Sequence, residues 1–282
     1  MADKEILRFD NLGQYLLLKN GNYLYKVPFR NGRAVLKVYY GSRSVPSCML
    51  KSFDNVVMNG QTSYMPKTRL KNEQASMKIW REAGIRVFNI YDNVEVEGLP
   101  PGGYALYEYV PGRNFHKYLP DESVPLEERL RWYRIFLEQW HRRHALACRT
   151  RNPMLIHENG DIKHVMLHNN ELYWFDFEMV FRSGAHIEDL VARELLAYIK
   201  TLRTFLSPER FDLFLKETLE RYPDRNYLEL IYPYMFKNRK PLHRLGRWID
   251  FNFKAKSRKP DSKYQLALLI RDYLAAHPRS AG

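Results

Sequence analysis

The chain has little cysteine: two residues, Cys48 and Cys148, in 282 positions. Two thiols that far apart make neither a metal-binding spacing nor a disulfide framework, and the economical reading is a reducing compartment. Long apolar runs are also missing, since no stretch approaches the roughly 18 apolar residues that cross a bilayer. Residues 1–5 carry no apolar run of the secretory type. Together these absences make a cytoplasmic protein the expectation. Acidic residues are scarce, with 32 Asp and Glu against 45 Lys and Arg, leaving a formal charge of +13. Such a field favours anionic partners: nucleotides, nucleic acid, an acidic membrane face or a phosphorylated glycolipid. No zinc-finger spacing, RNA-recognition aromatic motif or heptad-plus-basic region occurs, so nucleic acid is not an expected partner. There is no internal repeat and no low-complexity segment. Nothing in the sequence reports the oligomeric state.

What is abundant is core material. Hydrophobic residues make up 45% and aromatics 14%, which excludes a disordered chain. Residues 16–40 read as three short strands. Asn20-Gly21-Asn22 and Asn31-Gly32 supply the tight turns, and the arrangement expected is an antiparallel meander. Residues 41–67 are irregular and too long for a plain connection, so a functional flap or an insertion is expected there. A helix is predicted over 69–83, with Thr68 as N-cap and Gly84 at C′. Strands follow at 87–96 and 104–110, and Pro111-Gly112 ends the second. Beyond that point the chain becomes helical. Leu126, Leu130, Tyr133, Leu137 and Trp140 recur at steps of four and three, a buried helical stripe. Two short strands flank the turn at 168–171. Further helices are predicted near 187–202, 208–220, 227–236 and 263–275.

Four patterns in this order carry chemistry. On the third strand, Ala34-Val35-Leu36-Lys37 places a cation where phosphoryl transfer needs one to grip phosphates, with Glu73 on the following helix to hold it. Taken alone, the pattern also suits a surface lysine closing a strand. Asp176, in Asp176-Phe177-Glu178, follows the strand Leu172-Tyr173-Trp174-Phe175; a carboxylate at a strand end suits Mg²⁺. It equally suits an Asp accepting backbone hydrogen bonds. Between them lies the segment His157-Glu158-Asn159-Gly160-Asp161-Ile162-Lys163-His164-Val165. A kinase catalytic loop reads His-x-Asp, four spacers, then a metal-binding Asn. Aligned without a gap, Asn159 falls on the catalytic Asp and His164 on the metal-binding Asn, with Asn159 standing 17 positions before Asp176. An amide cannot serve as the base. A second register puts Asp161 on the catalytic position and Lys163 where a phosphate-facing lysine would stand. It moves Met166, a poor Mg²⁺ ligand, onto the metal position. Both registers stay open. The fourth pattern is the hinge-like run 104–112, where backbone groups near Glu108 and Val110 would meet an adenine ring; a plain sheet strand before a turn reads the same way.

The segment Lys163-His164-Val165-Met166-Leu167, followed by Leu172-Tyr173-Trp174-Phe175-Asp176-Phe177-Glu178, resembles the lipopolysaccharide core kinases, the bacterial Kdo and heptose kinases related to protein kinases. In that family His often replaces the metal-binding Asn and Glu often replaces the Gly of Asp-Phe-Gly. His164 and Glu178 match both departures. The resemblance spans about two-thirds of the chain, from Leu16 to Leu202. It implies an α+β, protein-kinase-like bilobal fold: residues 1–111 as an N-lobe of five antiparallel strands plus one helix, with an insertion at 41–67, and 112–282 as a mainly helical C-lobe carrying the catalytic segment 156–178. It further implies ATP and Mg²⁺ as cofactors. Lys37 and Glu73 would act on the phosphates, Gly21 would stand in the phosphate-covering turn, and Glu108 and Val110 would line the adenine site. Asp176 and His164 would act at the metal, with Asp161 or Asn159 as the catalytic residue and Lys163 beside it. Two departures stand out: Asn159, and the absence of a Gly-x-Gly-x-x-Gly loop beyond the single Gly21.

Basic residues cluster at Arg142-Arg143-His144 with Arg149 and Arg151, and again at Lys237-Asn238-Arg239-Lys240, His243-Arg244, Arg247 and residues 254–259. Solvated helix faces explain such clusters, as does a docking surface for an anionic acceptor or membrane. Three functions follow. The first is a sugar kinase acting on the lipopolysaccharide inner core, peripheral to the inner face of the bacterial inner membrane. The second is a kinase acting on a protein or another small molecule. The third is a non-catalytic, pseudokinase binding module.

Overall fold

The computed structural model describes residues 4–237 and 241–278, the side chains of 241–243 excepted. The sequence expectations that involve residues 1–3 and the basic residues Arg239 and Lys240 lie outside the described residues, as does the His243 side chain. By their contacts the described residues form two compact units. Met1–Gly112 and His168–Arg182 make the first; Arg113–Leu167 and Ser183–Gly282 make the second.

The first unit opens with β1 (Glu5–Leu7), β2 (Leu16–Lys19), β3 (Tyr23–Phe29) and β4 (Gly32–Val38). The meander expected from the two turns is present: β2, β3 and β4 pair antiparallel, with Gly21 at φ 74 in the first turn. In the second turn the left-handed residue is Arg30, at φ 51, one place ahead of Asn31. Residues 41–67 are not structureless. They contain α1 (Val45–Phe53), continued by a π-helical turn over Asp54–Met58. Pro46 in its first turn costs no hydrogen bond there.

Next comes α2 (Pro66–Glu82). It starts earlier than the sequence suggested: Met65 rather than Thr68 is the N-cap, because Pro66 at the first position fixes a helical φ. Gly84 ends it at φ 73, as a C′ glycine does. The single strand expected over 87–96 is instead split. Only β5 (Val94–Val96) is regular, and it pairs in parallel with β1, while Val87 and Ile90 make isolated bridges to Trp174 and Tyr107. With β6 (Tyr104–Glu108) on β4, the main sheet therefore has four strands in the order β2-β3-β4-β6, not five. Val27, Ala34, Leu36, Val38, Val96 and Leu106 form its core.

The second unit begins with β7 (Arg113–Asn114), α3 (Phe115–Tyr118) and α4 (Leu126–Thr150). The predicted stripe of α4 is buried at Leu130, Tyr133, Leu137 and Trp140. Its 25 residues end at Arg151, which takes a left-handed φ of 53. After β8 (Val165–His168), Asn169 and Asn170 turn the chain with φ 46 and φ 58, the paired left-handed residues of a type I′ turn. β9 (Glu171–Trp174) follows and belongs to the first unit. The remaining helices, all in the second unit, are α5 (Ile187–Phe205), α6 (Pro208–Arg221), α7 (Arg225–Glu229), α8 (Ile231–Phe236), α9 (Pro241–Phe253) and α10 (Lys263–Ala276). The helix predicted over 227–236 is broken at Leu230, three residues before Pro233, whose ring cannot sit over a continuing helical carbonyl ladder. The described fold is thus α+β: an antiparallel sheet with its helices in the first unit, and a mainly helical second unit.

Candidate functional site

In the first unit the site is a buried charge quartet. Leu36 and Val38 alternate into the core, so Lys37 leaves β4 on the other face, toward α2. Its Nζ lies 3.0 and 2.7 Å from the two carboxylate oxygens of Glu73. A second carboxylate, Oε1 of Glu178, sits 2.7 Å from the same Nζ. The other oxygen of Glu178 accepts from Arg69 Nη1 at 2.8 Å. Arg69 and Glu73 stand one turn apart on α2, which brings both to one helix face. Two cations therefore meet two carboxylates, and the quartet is neutral as a whole. Burial works against the charge on Lys37. Glu178, Glu73 and Asp176 outweigh it and hold the ammonium pKa well above the lysine value. For Glu73, burial raises the pKa and Lys37 opposes the rise. The Tyr39 hydroxyl also donates to Glu73 and lies 2.6 Å from that of Tyr107.

The turn between β2 and β3 is tied into the same quartet. Asn22 donates its amide to Glu178, and its Oδ1 accepts from Arg69 Nη1 at 2.6 Å. The Gly21 carbonyl accepts from the same guanidinium at 3.2 Å. Gly21 is held by more than its φ: a Cβ there would stand 2.9 Å from the Tyr64 hydroxyl. Asp176 follows β9 with a φ of 74. A non-glycine residue persists in that region only where its surroundings over-determine it, as happens at functional sites. Phe177 fixes one side by packing on Trp80 of α2, ring centroids 4.5 Å apart. On the other side, Thr62 N–H donates to the Val180 carbonyl, and Asn72 Nδ2 donates to the Glu178 carbonyl at 3.0 Å. The end of the 41–67 segment thus forms one wall of the Asp176-Phe177-Glu178 turn. Glu108, by contrast, spends its backbone N–H on the Asn89 carbonyl, and its carboxylate accepts from Asn89 at 3.1 and 2.9 Å. Val110 is buried.

In the second unit the loop 156–167 is anchored from beneath. Glu194 on α5 is wholly buried. It accepts the backbone N–H of His157 at 2.8 Å, the indole N–H of Trp140 at 3.1 Å and two nitrogens of Arg143, one at 3.0 Å. Arg143 also donates to the Leu155 carbonyl. Burial alone would raise the Glu194 pKa, yet Arg143 and His144 bring it down to about 2. His144 Nε2 is 3.3 Å from Glu194 without hydrogen-bond geometry, and burial lowers its pKa to about 4. Arg143 and His144, grouped in the sequence with a solvated or docking cluster, are core residues instead; a wholly buried carboxylate one helix away demands them.

Above this anchor, the loop's own residues pair locally. His157 Nδ1 lies 2.6 Å from the Tyr198 hydroxyl, and Gly160 passes so close to the Tyr198 ring that a Cβ would meet it at 3.0 Å. Asp161 caps a short 3₁₀ turn by accepting the Lys163 N–H at 3.0 Å, and its other oxygen pairs with Lys163 Nζ at 3.0 Å. His164 is buried, with Nδ1 3.0 Å from the Asn159 carbonyl. Since a carbonyl only accepts, this hydrogen bond places a proton on Nδ1. Glu158 pairs with Arg193. The structure thus brings Lys37 to Glu73, Lys163 to Asp161 and His164 to Asn159. Arg69, Asn22, Tyr39, Arg143 and Glu194 join these groups without having been singled out for such roles in the sequence.

Among the described residues, no cluster of three or more His, Cys, Asp or Glu side chains forms a ready metal cage. Mg²⁺ sites that rely on one or two carboxylates and nucleotide phosphates do not need one. Neither a protein-family model nor a curated protein matches the chain. Solved structures do. WaaP in complex with acyl carrier protein is 15% identical, with a TM-score of 0.40, covering 80% of this chain and 91% of that one. The Rio2 kinase–ADP/Mg²⁺–phosphoaspartate complex from Chaetomium thermophilum is 15% identical, with a TM-score of 0.41, covering 94% and 71% respectively.

Proposed function

We propose that the protein is an ATP- and Mg²⁺-dependent phosphotransferase whose acceptor is a sugar hydroxyl of the lipopolysaccharide inner core, on heptose or Kdo, at the inner face of the bacterial inner membrane. The observation that carries this reading is the buried Lys37–Glu73 pair, with Asp176 close enough to raise the lysine pKa. Bound ATP would supply the γ-phosphoryl group, and Mg²⁺ would neutralise the phosphate charge. Lys37, held by Glu73, would grip the phosphates, and the Gly21 turn would cover them. Asp176 would hold the metal, assisted by His164. The backbone near Glu108 and Val110 meets the adenine. Asp161 or Asn159 orients the acceptor hydroxyl, and of the two only the carboxylate can take its proton. The excess of basic side chains suits an anionic glycolipid acceptor.

A second reading is favoured by Glu178. Its carboxylate already occupies the ammonium that phosphates would need, which suits a pseudokinase that binds without turnover. The deciding experiment is Mg²⁺-dependent ATP turnover with and without purified inner-core lipopolysaccharide. Acceptor-dependent turnover is expected, falling at least about a hundredfold in Asp176→Ala with an unchanged circular dichroism spectrum. Full activity in that variant would remove Asp176 from the metal. Comparing Asp161→Ala with Asn159→Ala chooses the register, the larger loss marking the catalytic position. ATP binding without turnover on any acceptor would support the pseudokinase reading. Turnover on a protein or small molecule alone would replace the glycolipid.

A further inference from the structure

Helix α9 has two apolar sides, and among the described residues only one of them has a partner. On the inner side, Phe251 packs against Phe236 and Tyr264, with ring centroids 5.4 and 5.6 Å away. Arg247 reinforces that side by donating to the Tyr234 carbonyl, its guanidinium 4.2 Å over the Tyr234 ring. On the outer side stand Leu245, Trp248, Ile249 and Phe253, at positions i, i+3, i+4 and i+8. They are 54%, 56%, 43% and 73% exposed. The chain has five tryptophans; the other four, Trp80, Trp132, Trp140 and Trp174, are at most 4% exposed. A groove of about 490 Å³ adjoins the helix, lined by Met235, Phe236 and Leu245 together with Arg244 and Arg247.

Charge says what covers this face. Residues 244–259 hold six basic side chains, Arg244, Arg247, Lys254, Lys256, Arg258 and Lys259, against the single acid Asp250. Asp250 is already paired with Lys254. A second copy of the chain docking face to face would set the excess cations of this segment against each other. Water alone leaves three large apolar side chains and an indole unburied. A surface with anionic phosphates outside and hydrocarbon beneath satisfies both kinds of group. With 13 residues α9 is about 20 Å long, too short to span a bilayer but suited to lying in its interface.

We propose that α9 and the basic segment after it dock the protein onto an anionic phospholipid surface. Leu245, Trp248, Ile249 and Phe253 enter the headgroup–acyl boundary, while Lys254, Lys256, Arg258 and Lys259 meet the lipid phosphates. The proposal is independent of phosphotransfer, and its test uses no substrate. The full chain is sedimented with vesicles of phosphatidylcholine alone or mixed with phosphatidylglycerol, and iodide quenching reads Trp248. Binding is expected only to the phosphatidylglycerol vesicles, weakened by salt, with Trp248 shielded from iodide on binding. Trp248→Glu with Phe253→Glu should abolish binding while leaving the thermal melt unchanged. Changing Lys254, Lys256, Arg258 and Lys259 to Gln should weaken it about a hundredfold or more and flatten the salt dependence. Three results would overturn the proposal: quenching unchanged by vesicles, binding retained by both variants, or a lipid-free dimer that the double variant dissociates.

Discussion

Glu194 shows how much one side chain can organise. It receives an indole, a guanidinium and the backbone N–H of His157, all while buried. Glu194→Gln keeps the shape but leaves Arg143 as an uncompensated buried cation, a change that costs about 3–5 kcal/mol. Chemical denaturation should show that loss, and the loop's amide protons should exchange faster in the variant. The sequence disclosed only part of such chemistry. Lys37 and Glu73 could be paired because a strand lysine and a helix glutamate follow a known order. Glu178 was visible as a departure from a motif, but not as a partner of Lys37, Arg69 and Asn22. Asn22 and Glu178 lie 156 positions apart, and no local pattern encodes a contact of that separation. For Arg69 there was one usable signal: it precedes Glu73 by four residues on the same helix, so an inward Glu73 implies an inward Arg69.

At the scale of elements, periodicity and punctuation predicted what they physically control. Asn-Gly turns marked the β2–β4 meander, Gly84 marked the end of α2, and the four-three apolar stripe marked α4. Failures fell where tertiary pairing overrides local preference. The run 87–96 looks like one strand, but its residues pair in turn with Trp174, Tyr107 and β1, so it zigzags instead of extending. Similarly, α1 was missed because its apolar residues lack a buried face: Met49, Leu50 and Phe53 are 61%, 74% and 64% exposed. A helix whose hydrophobic residues do not all point at a core gives no clean amphipathic signal.

For the whole molecule, acid is the informative stress. His144 resists protonation down to about 4, against an ordinary value of 6.5, because burial disfavours its charge. The unfolded chain therefore binds a proton that the folded chain refuses, and stability present above about pH 6.5 is lost as pH falls toward 4. Two and a half units correspond to about 3 kcal/mol at most. His116 and His141, also lowered by burial, act in the same direction. Glu194, ionised down to about 2 against an ordinary 4.5, adds a second loss that begins only as pH falls below about 4.5. The melting temperature should fall between pH 6.5 and 4, with a shallower slope in His144→Gln. The route of the chain has a different consequence, for biosynthesis. The first unit takes residues 168–182 from far downstream, so a ribosome that has delivered only 112 residues has not yet made Trp174, Phe177 or Glu178. The nascent chain then holds Lys37 and Arg69 with Glu73 as their one carboxylate of the quartet, and Trp80 without Trp174 and Phe177. Vectorial folding must wait. A fragment of residues 1–112 should remain molten when expressed alone and gain a cooperative melt when a synthetic 168–182 peptide is added in trans.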